Sequence, residues 1–316
     1  WIRHAENQGF VGNCNLTAEQ ARGDVVVFLN NDTLVLPDWL DQLVATLVAD
    51  PGVGLTGSKL IYPDGRLQEA GGIFWRDGSA WNYGRFDDPR RPEYSYAREA
   101  DYISGAAIAV KADLWRKLGG FDDLFRPAYS EDADLAFRIR ARGLRTVFQP
   151  RSALLHFEGV TSGTDLASGA KAYQVENLKR FKKRWGETLA DHRENGVEPH
   201  LEKDRNVAKR ALFIDVTTPE PSHDAGSLVA VEVMRALKAL DFRVTFVPED
   251  NFLWTREFSA PLQAIGVECI YHPYFSEFES FIRDRGAEFD LVVVHRFSAA
   301  EKVLSLLRRH ARQARV

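Results

Sequence analysis

Three places in the chain put polar side chains where chemistry can be done. The first is Asn30-Asn31-Asp32-Thr33, which breaks off the apolar run Asp24-Val25-Val26-Val27-Phe28-Leu29. A short continuous apolar run reads as a strand buried on both faces. Polar residues at its abrupt end then lie at the carboxyl edge of a sheet, where open α/β folds bind ligands. A carboxylate such as Asp32 can there hold a hard divalent cation that also bridges phosphate oxygens; the same four residues also suit a plain turn. The second place is Ser130-Glu131-Asp132-Ala133-Asp134-Leu135, with three carboxylates in the first turn of a helix. Each offsets the helix dipole by about 0.3–1 kcal/mol, but three neighbours repel one another and fewer would serve. Asp134 pairs with Arg138 at i,i+4. Glu131 and Asp132 have no such partner, and a carboxylate on a rigid helix end is a candidate general base. The third place is His156, between Ala153-Leu154-Leu155 and Phe157-Glu158-Gly159. A lone histidine at a strand end is most often a satisfied polar residue; its company singles this one out.

Two globular segments must position these groups. In the first, the run 24–29 is followed by a helix with Pro37 near its start and Leu40, Leu43, Val44, Leu47 and Val48 on one stripe. The span 53–60 reads as a strand. A Gly- and Trp-rich stretch then runs to Glu99, too long for an ordinary connection and so expected to be functional or a lid. A third strand spans 103–110, and a short helix over 112–118 closes on Gly119-Gly120. Ser130 caps a helix that runs to Gly143, with Leu135 and Ile139 inward. Short strands follow over 145–148 and 153–155, then a basic amphipathic helix over 171–185. From His192 to Arg210 the chain is polar and aperiodic with Pro199 inside it, as in an exposed linker. Beyond it, strands over 211–216, 243–247, 267–271 and 291–294 alternate with helical patterns, the first of which has Val229, Val233, Ala236, Leu237 and Leu240 as its stripe. Such alternation means a parallel sheet with helices on both faces. Only Gly226 sits where a dinucleotide fingerprint needs several glycines, which argues against an NAD site.

The 316 residues are 45% hydrophobic and 27% charged, a globular composition that excludes disorder and fibrous classes. Lys plus Arg number 41 against 45 Asp plus Glu, a formal net charge of −4. A near-neutral chain has no global field for nucleic acid or anionic lipid, so any phosphate must be met locally. The basic end, Arg308 to Arg312, reads as a solvated helix face. Cys14 and Cys269 lie far apart, which excludes a disulfide framework and fits a reducing compartment. No apolar run approaches the ~18 residues of a membrane span, and the start is no signal peptide. The chain begins at Trp1 and has Met234 as its one methionine, so it reads as an internal piece of a longer protein.

An ordered set of motifs completes the picture: Asn7-x-Gly9-Phe10, Asn13-x-Asn15, Phe28-Leu29-Asn30-Asn31-Asp32-Thr33, Ser104-Gly105-Ala106, Gly119-Gly120-Phe121-Asp122, Glu131-Asp132-x-Asp134-Leu135, Arg138, Gly143, and Pro150 through His156. In this order and spacing the chain, from Trp1 to about Trp185, resembles the family 2 (GT-A type) glycosyltransferases, rhamnosyltransferase-like branch. The resemblance implies an inverting transferase. It would move a sugar from a nucleotide-diphosphate donor to a glycan or lipid-linked acceptor hydroxyl, in bacterial surface polysaccharide synthesis. It also implies a divalent metal, Mn²⁺ or Mg²⁺, at Asp32 and His156. Asp132 matches the catalytic base; Asn7, Gly9, Asn15, Asn31 and Asp32 match donor-binding positions; Gly105, Ala106 and Glu131 match the acceptor side. Asn31 stands where many members carry another acid, so this site has one charge fewer. Trp75, Trp81 and Tyr83 offer aromatic faces of the kind that suit sugar rings, with Trp81 assigned to the acceptor; ordinary loop packing uses such residues equally.

The expected fold class is therefore α/β, with a GT-A type nucleotide-sugar-binding domain over 1–190 that lacks its first strand–helix units. A charged linker spans 191–208. From 209 to 316, Phe213-Ile214-Asp215, Thr218-Pro219-x-Pro221 and Asp224-x-Gly226-Ser227 resemble the Rossmann-like N-terminal lobe of a GT-B (family 4-like) glycosyltransferase, also truncated, with no catalytic residue assigned. Expected partners are donor and acceptor, with no nucleic acid and at most peripheral membrane association, in the cytoplasm or at the inner face of the membrane. The fragment alone is expected to be inactive. Three other classes compete. A glycan-binding or scaffolding module has no need of Asp32, Asp132 and His156 together. A glycoside hydrolase needs two carboxyls facing each other across ~5–10 Å, whereas adjacent residues on one helix turn point apart. A nucleotidyltransferase would need phosphate-gripping basic residues.

Overall fold

The computed structural model describes residues 2–158 and 172–316; Trp1 and residues 159–171 lie outside them. The chain divides into two units: Trp1–Pro89 with Arg98–Asp204, and Arg90–Ala97 with Arg205–Val316. In the first unit the order is α1 (Gly9–Ala18), β1 (Val25–Leu29), β2 (Thr33–Val35), α2 (Trp39–Ala49), β3 (Val53–Ile61), β4 (Leu67–Glu69), β5 (Gly72–Phe74), β6 (Ala80–Asn82), β7 (Arg98–Glu99), β8 (Ala107–Lys111), α3 (Ala112–Leu118), α4 (Glu131–Arg140), β9 (Arg145–His156), α5 (Ala172–Leu189) and α6 (Pro199–Glu202).

The main sheet runs β1-β8-β3-β9-β2, with β4 on β3 and β7 on β9. It is mixed: β3 and β9 are parallel, and the other pairs are antiparallel. β3 is its centre, buried at every residue but the last. It carries glycine where neighbours press closest: a Cβ on Gly57 would lie 2.3 Å from Ile103 Cγ2. α2 covers one face with Trp39, Leu43 and Leu47, and the Trp39 indole donates to Ser58 Oγ at 2.8 Å. On the other face Phe74, Phe137 and Phe181 stack edge-to-face and offset, joining β5, α4 and α5.

Several expectations need correction. β1 alternates buried and half-buried residues and ends in an exposed Leu29, because it pairs on one side only, with β8. Leu40 and Val48 of α2 face solvent, and Trp39 takes the core position instead. The strand expected over 103–110 begins at Ala107, and residues 104–106 form a loop. The two strands around Pro150 are one, β9, whose pairing with β3 jumps from Ser58↔Gln149 to Lys59↔Ala153. That irregularity accommodates a proline that cannot donate to the ladder. The stretch 191–204 is not an exposed linker. His192 is buried and donates from Nδ1 to Phe74 O at 2.7 Å, and two buried carboxylates there are paired, Glu202 with Arg193 and Asp204 with Lys203.

The second unit contains β10 (Lys209–Asp215), α7 (Ala225–Ala239), β11 (Phe242–Pro248), α8 (Ser259–Ala264), β12 (Glu268–Cys269), α9 (Phe278–Arg285), β13 (Leu291–Val294) and α10 (Phe297–His310). Its sheet, β12-β11-β10-β13, is parallel throughout, as the alternation implied. Asp224 caps α7 through Ser227 N, and Ala230, Met234 and Leu237 are its buried stripe; Val229 and Leu240 are exposed.

Asp134 ties α4 to α5 in the first unit. It is fully buried, accepts from Arg138 Nε at 2.6 Å, and also from Arg184 Nη1 and the Trp185 indole. The sequence supplied only the Arg138 partner. Removing one member of a buried pair strands the others, at a cost of about 3–5 kcal/mol. Asp134→Ala is therefore expected to lower unfolding free energy by about that amount, measured by urea denaturation, whereas Asp113→Ala, at an exposed position of α3, changes it little.

Candidate active site

The site forms where β1, β4 and β9 end and α4 begins. After β1 the chain turns sharply: Thr33 Oγ1 donates to Asn30 O at 2.6 Å, and β2 then pairs antiparallel with the end of β9 so that Thr33 opposes His156. Phe157 N donates to Asp32 O at 2.9 Å. Together these contacts set Asp32 beside His156, with Nε2 3.3 Å from Oδ1 and the side chains only 9% and 11% exposed. Asp32 Oδ1 is buried and accepts no hydrogen bond.

Asp132 reaches the same edge from the start of α4. Tyr129 and Ser130 have left-handed backbone, φ 78° and 70°, and turn the chain into the helix; Ser130 makes no side-chain cap, contrary to expectation. Asp132 Oδ2 accepts from Gly105 N at 2.8 Å and Oδ1 from Ala133 N at 2.7 Å. One residue on, Ala106 O accepts from Asn30 N at 2.9 Å. The loop 104–106 thus joins the tip of β1 to the carboxylate of α4. Burial raises the Asp132 carboxyl above its ordinary range, opposed by those N–H donors. Glu131 is buried with Oε2 unbonded, and burial plus the Asp132 charge lift its carboxyl well above the usual range.

Two residues of β4 were passed over in the sequence. Glu69 is buried and accepts from Ser104 N at 2.8 Å, so two carboxyl groups hold the consecutive amides of Ser104 and Gly105. Gln68, beside it, contacts His156 Nδ1 at 3.1 Å. The length of the 61–99 stretch was the one signal that function lay there.

The remaining sequence-named residues occupy varied places. Asn7 Oδ1 accepts from Gly9 N at the start of α1, and a Cβ on Gly9 (φ +64°) would lie 2.8 Å from Pro127 Cβ. Asn15 spends both ends of its amide on the Phe121 main chain, a structural clamp. Asn31 is exposed beside Asp32. Trp81, exposed on the β5–β6 hairpin, stands edge-on to Trp75, which is fully buried and offers no face to a ligand. Among the described residues, none of these side chains hydrogen-bonds to a carboxylate of the site.

Residues 1–188, more than half the chain, match the family model described as Glycosyltransferase like family 2, and the chain belongs to that family. It is 31% identical over 198 residues to an uncharacterized protein of Sinorhizobium fredii, across 61% of this chain and 21% of that protein. It is 34% identical over 158 residues to the O-antigen biosynthesis protein RfbC of Myxococcus xanthus, across 48% of this chain and 12% of that one. A third relative is the N-acetylglucosaminyl-diphospho-decaprenol L-rhamnosyltransferase of Mycobacterium tuberculosis, 27% identical over 161 residues, across 48% of this chain and 52% of the relative. The chain thus spans between an eighth and about half of these relatives' lengths. No helix among the described residues is long and apolar enough to cross a membrane.

Glu69 gives the site a measurable pH signature. Its carboxyl is pushed up to about 8 from 4.5, first by burial and also by the Asp132 charge, against the Ser104 N–H and Arg98. From about pH 4.5 the unfolded chain has released this proton, while the folded chain keeps it until about 8. Stability therefore falls as pH rises through that window, by at most about 1.4 kcal/mol per pH unit. Glu69→Gln, which keeps an acceptor for Ser104 N, should flatten the fall and be more stable than wild type at the upper end, as read from thermal or urea unfolding across pH.

Proposed function

We propose that the first unit is the catalytic domain of an inverting, GT-A type glycosyltransferase that uses a nucleotide-diphosphate sugar and a glycan or lipid-linked acceptor, in surface polysaccharide assembly. The observation that carries the reading is the loop 104–106, which binds Asn30 at the tip of β1 and the Asp132 carboxylate one residue apart. It brings the end of an apolar strand and a rigid helix start to one sheet edge, the geometry a donor and acceptor need.

Asp132 would take the proton from the acceptor hydroxyl as its oxygen attacks the anomeric carbon. The new C–O bond forms on the face opposite the breaking bond to the diphosphate, so the centre inverts, and the proton ends on Asp132. Burial supports the role by raising the proton affinity of its carboxylate. Gly105 and Ala133 hold the carboxylate in one orientation, which lets position supply much of the rate. Burial and the Asp132 charge push the Glu131 carboxyl toward its protonated form, which lessens the negative charge next to the base.

The donor set fits a divalent cation, Mn²⁺ or Mg²⁺: Asp32 Oδ1 is a buried carboxylate oxygen without a donor, and an imidazole nitrogen faces it. When bound, such an ion would neutralise charge on the departing diphosphate. Among the described residues no group of three or more His, Cys, Asp and Glu could hold a metal. Asp32 and His156 would therefore share it with diphosphate oxygens and water, as Mg²⁺-type sites commonly do. The second unit is read as a GT-B-like lobe with no assigned catalytic residue, supported by its parallel sheet and capped α7.

Transfer from a panel of nucleotide-sugars, followed by product analysis, tests the reading. Asp132→Asn in the protein carrying this chain is expected to cut transfer by about 10²–10⁴-fold while nucleotide binding with Mn²⁺ stays near wild type. Unimpaired transfer by that variant, or a product with retained configuration, would exclude the mechanism.

A further inference from the structure

Gln68 lies between two groups that determine which way its amide points. On one side its Nε2 is 3.4 Å from Glu158 Oε2; on the other its Oε1 is 3.1 Å from His156 Nδ1. A carboxylate only accepts, so the amide nitrogen belongs on the Glu158 side and the amide oxygen on the His156 side. Glu158 is itself held: Oε2 accepts from Tyr62 Oη at 2.9 Å and from Arg85 Nη2 at 3.2 Å. The amide oxygen can only accept from Nδ1, which must then carry the imidazole proton. That leaves Nε2 as the bare ring nitrogen, 3.3 Å from Asp32 Oδ1, which has no hydrogen-bond donor. Two acceptors then lie 3.3 Å apart where Gln68 and His156 are both more than nine-tenths buried. Bare acceptors at that spacing repel unless a proton or a metal cation sits against both, and the two outcomes are separated by the test below.

We propose that Gln68 is a positioning residue that, oriented by Glu158, locks His156 in its Nδ1–H tautomer and so presets the Asp32–His156 pair to receive a divalent cation. The inference rests on the cation reading given above, and it adds the part of the chain that prepares the ligand. Partners of this kind fix ring orientation and tautomer at metal sites, and their loss typically weakens binding about 10–100-fold. β4 then serves both halves of the site, since Gln68 sets the histidine while Glu69 holds the amide next to the one gripped by Asp132.

The test has a metal-free arm and a metal arm. Imidazole ¹⁵N shifts of His156, recorded on the whole chain without metal in weakly alkaline buffer, should show protonated Nδ1 and bare Nε2. Gln68→Met removes the acceptor, and Glu158→Gln frees the amide to turn. Both should shift the ring toward the Nε2–H form and weaken Mn²⁺ binding, followed by electron paramagnetic resonance with Mn²⁺ alone and with UDP or GDP, by about 10–100-fold. Gln68→Glu keeps an acceptor for Nδ1 and should retain the tautomer. Glu158 is partly exposed, so its variant keeps the test valid if Gln68→Met fails to fold. A wild-type ring with Nε2–H, or with both nitrogens protonated, would overturn the proposal, as would unchanged Mn²⁺ affinity in variants whose tautomer has moved. Wild-type chain with the Nδ1–H tautomer but no Mn²⁺ binding would instead refute the cation reading and, with it, the purpose assigned to the lock.

Discussion

The hydrogen bond from Gly105 N to the Asp132 carboxylate is the joint on which the site turns. It is short in sequence terms on neither side: the loop comes from the entry to β8, and the acid from a helix that starts after two left-handed residues. It links the start of α4 to the loop that also binds the tip of β1. With it, and with Ala106 O bound to Asn30 N, the acid is fixed to the same edge as Asp32. The carboxylate is buried for this purpose, and its raised proton affinity follows from the burial.

Much of the surrounding structure exists to keep that joint in place. β3 holds the sheet together from its centre, and its glycines let Ile103 and Ile139 close in from either end. Asp134, two residues beyond Asp132, binds two arginines and a tryptophan and so anchors α4 against α5. β4 is only three residues long, yet it touches both sides of the site through adjacent side chains that point to opposite faces, as strand geometry requires. A loop in that position could not fix both residues so firmly.

What could be read from sequence divides along physical lines. Patterns set by neighbours a few residues away were legible: β3, α3 with its Gly119-Gly120 end, the α4 acids and the parallel sheet of the second unit. Features set by distant partners were not. An apolar run looks the same in an edge strand and in a central one, so β1 was misread as buried on both faces. Pro150 suggested a break where β9 instead slips register and continues. The stretch after His192 looked like a linker because its charges are dense, but Glu202 and Asp204 are neutralised by Arg193 and Lys203 inside the first unit. Asn15 matches a donor-binding position only through the family resemblance, and the partner its amide takes, Phe121, lies 106 residues away. Gln68 and Glu69 carry no local signature at all, since their importance lies in partners 35 to 90 residues away.

The central claim is that the cation pair and the base occupy one site. Paramagnetic broadening by Mn²⁺ tests it most directly. With a nucleoside diphosphate present, substoichiometric Mn²⁺ should erase the amide signals of Phe157, beside Asp32 and His156, and also those of Gly105 and Ala133, which hold Asp132. Loss of the Phe157 signal with Gly105 and Ala133 left sharp would separate the base from the cation and contradict the account.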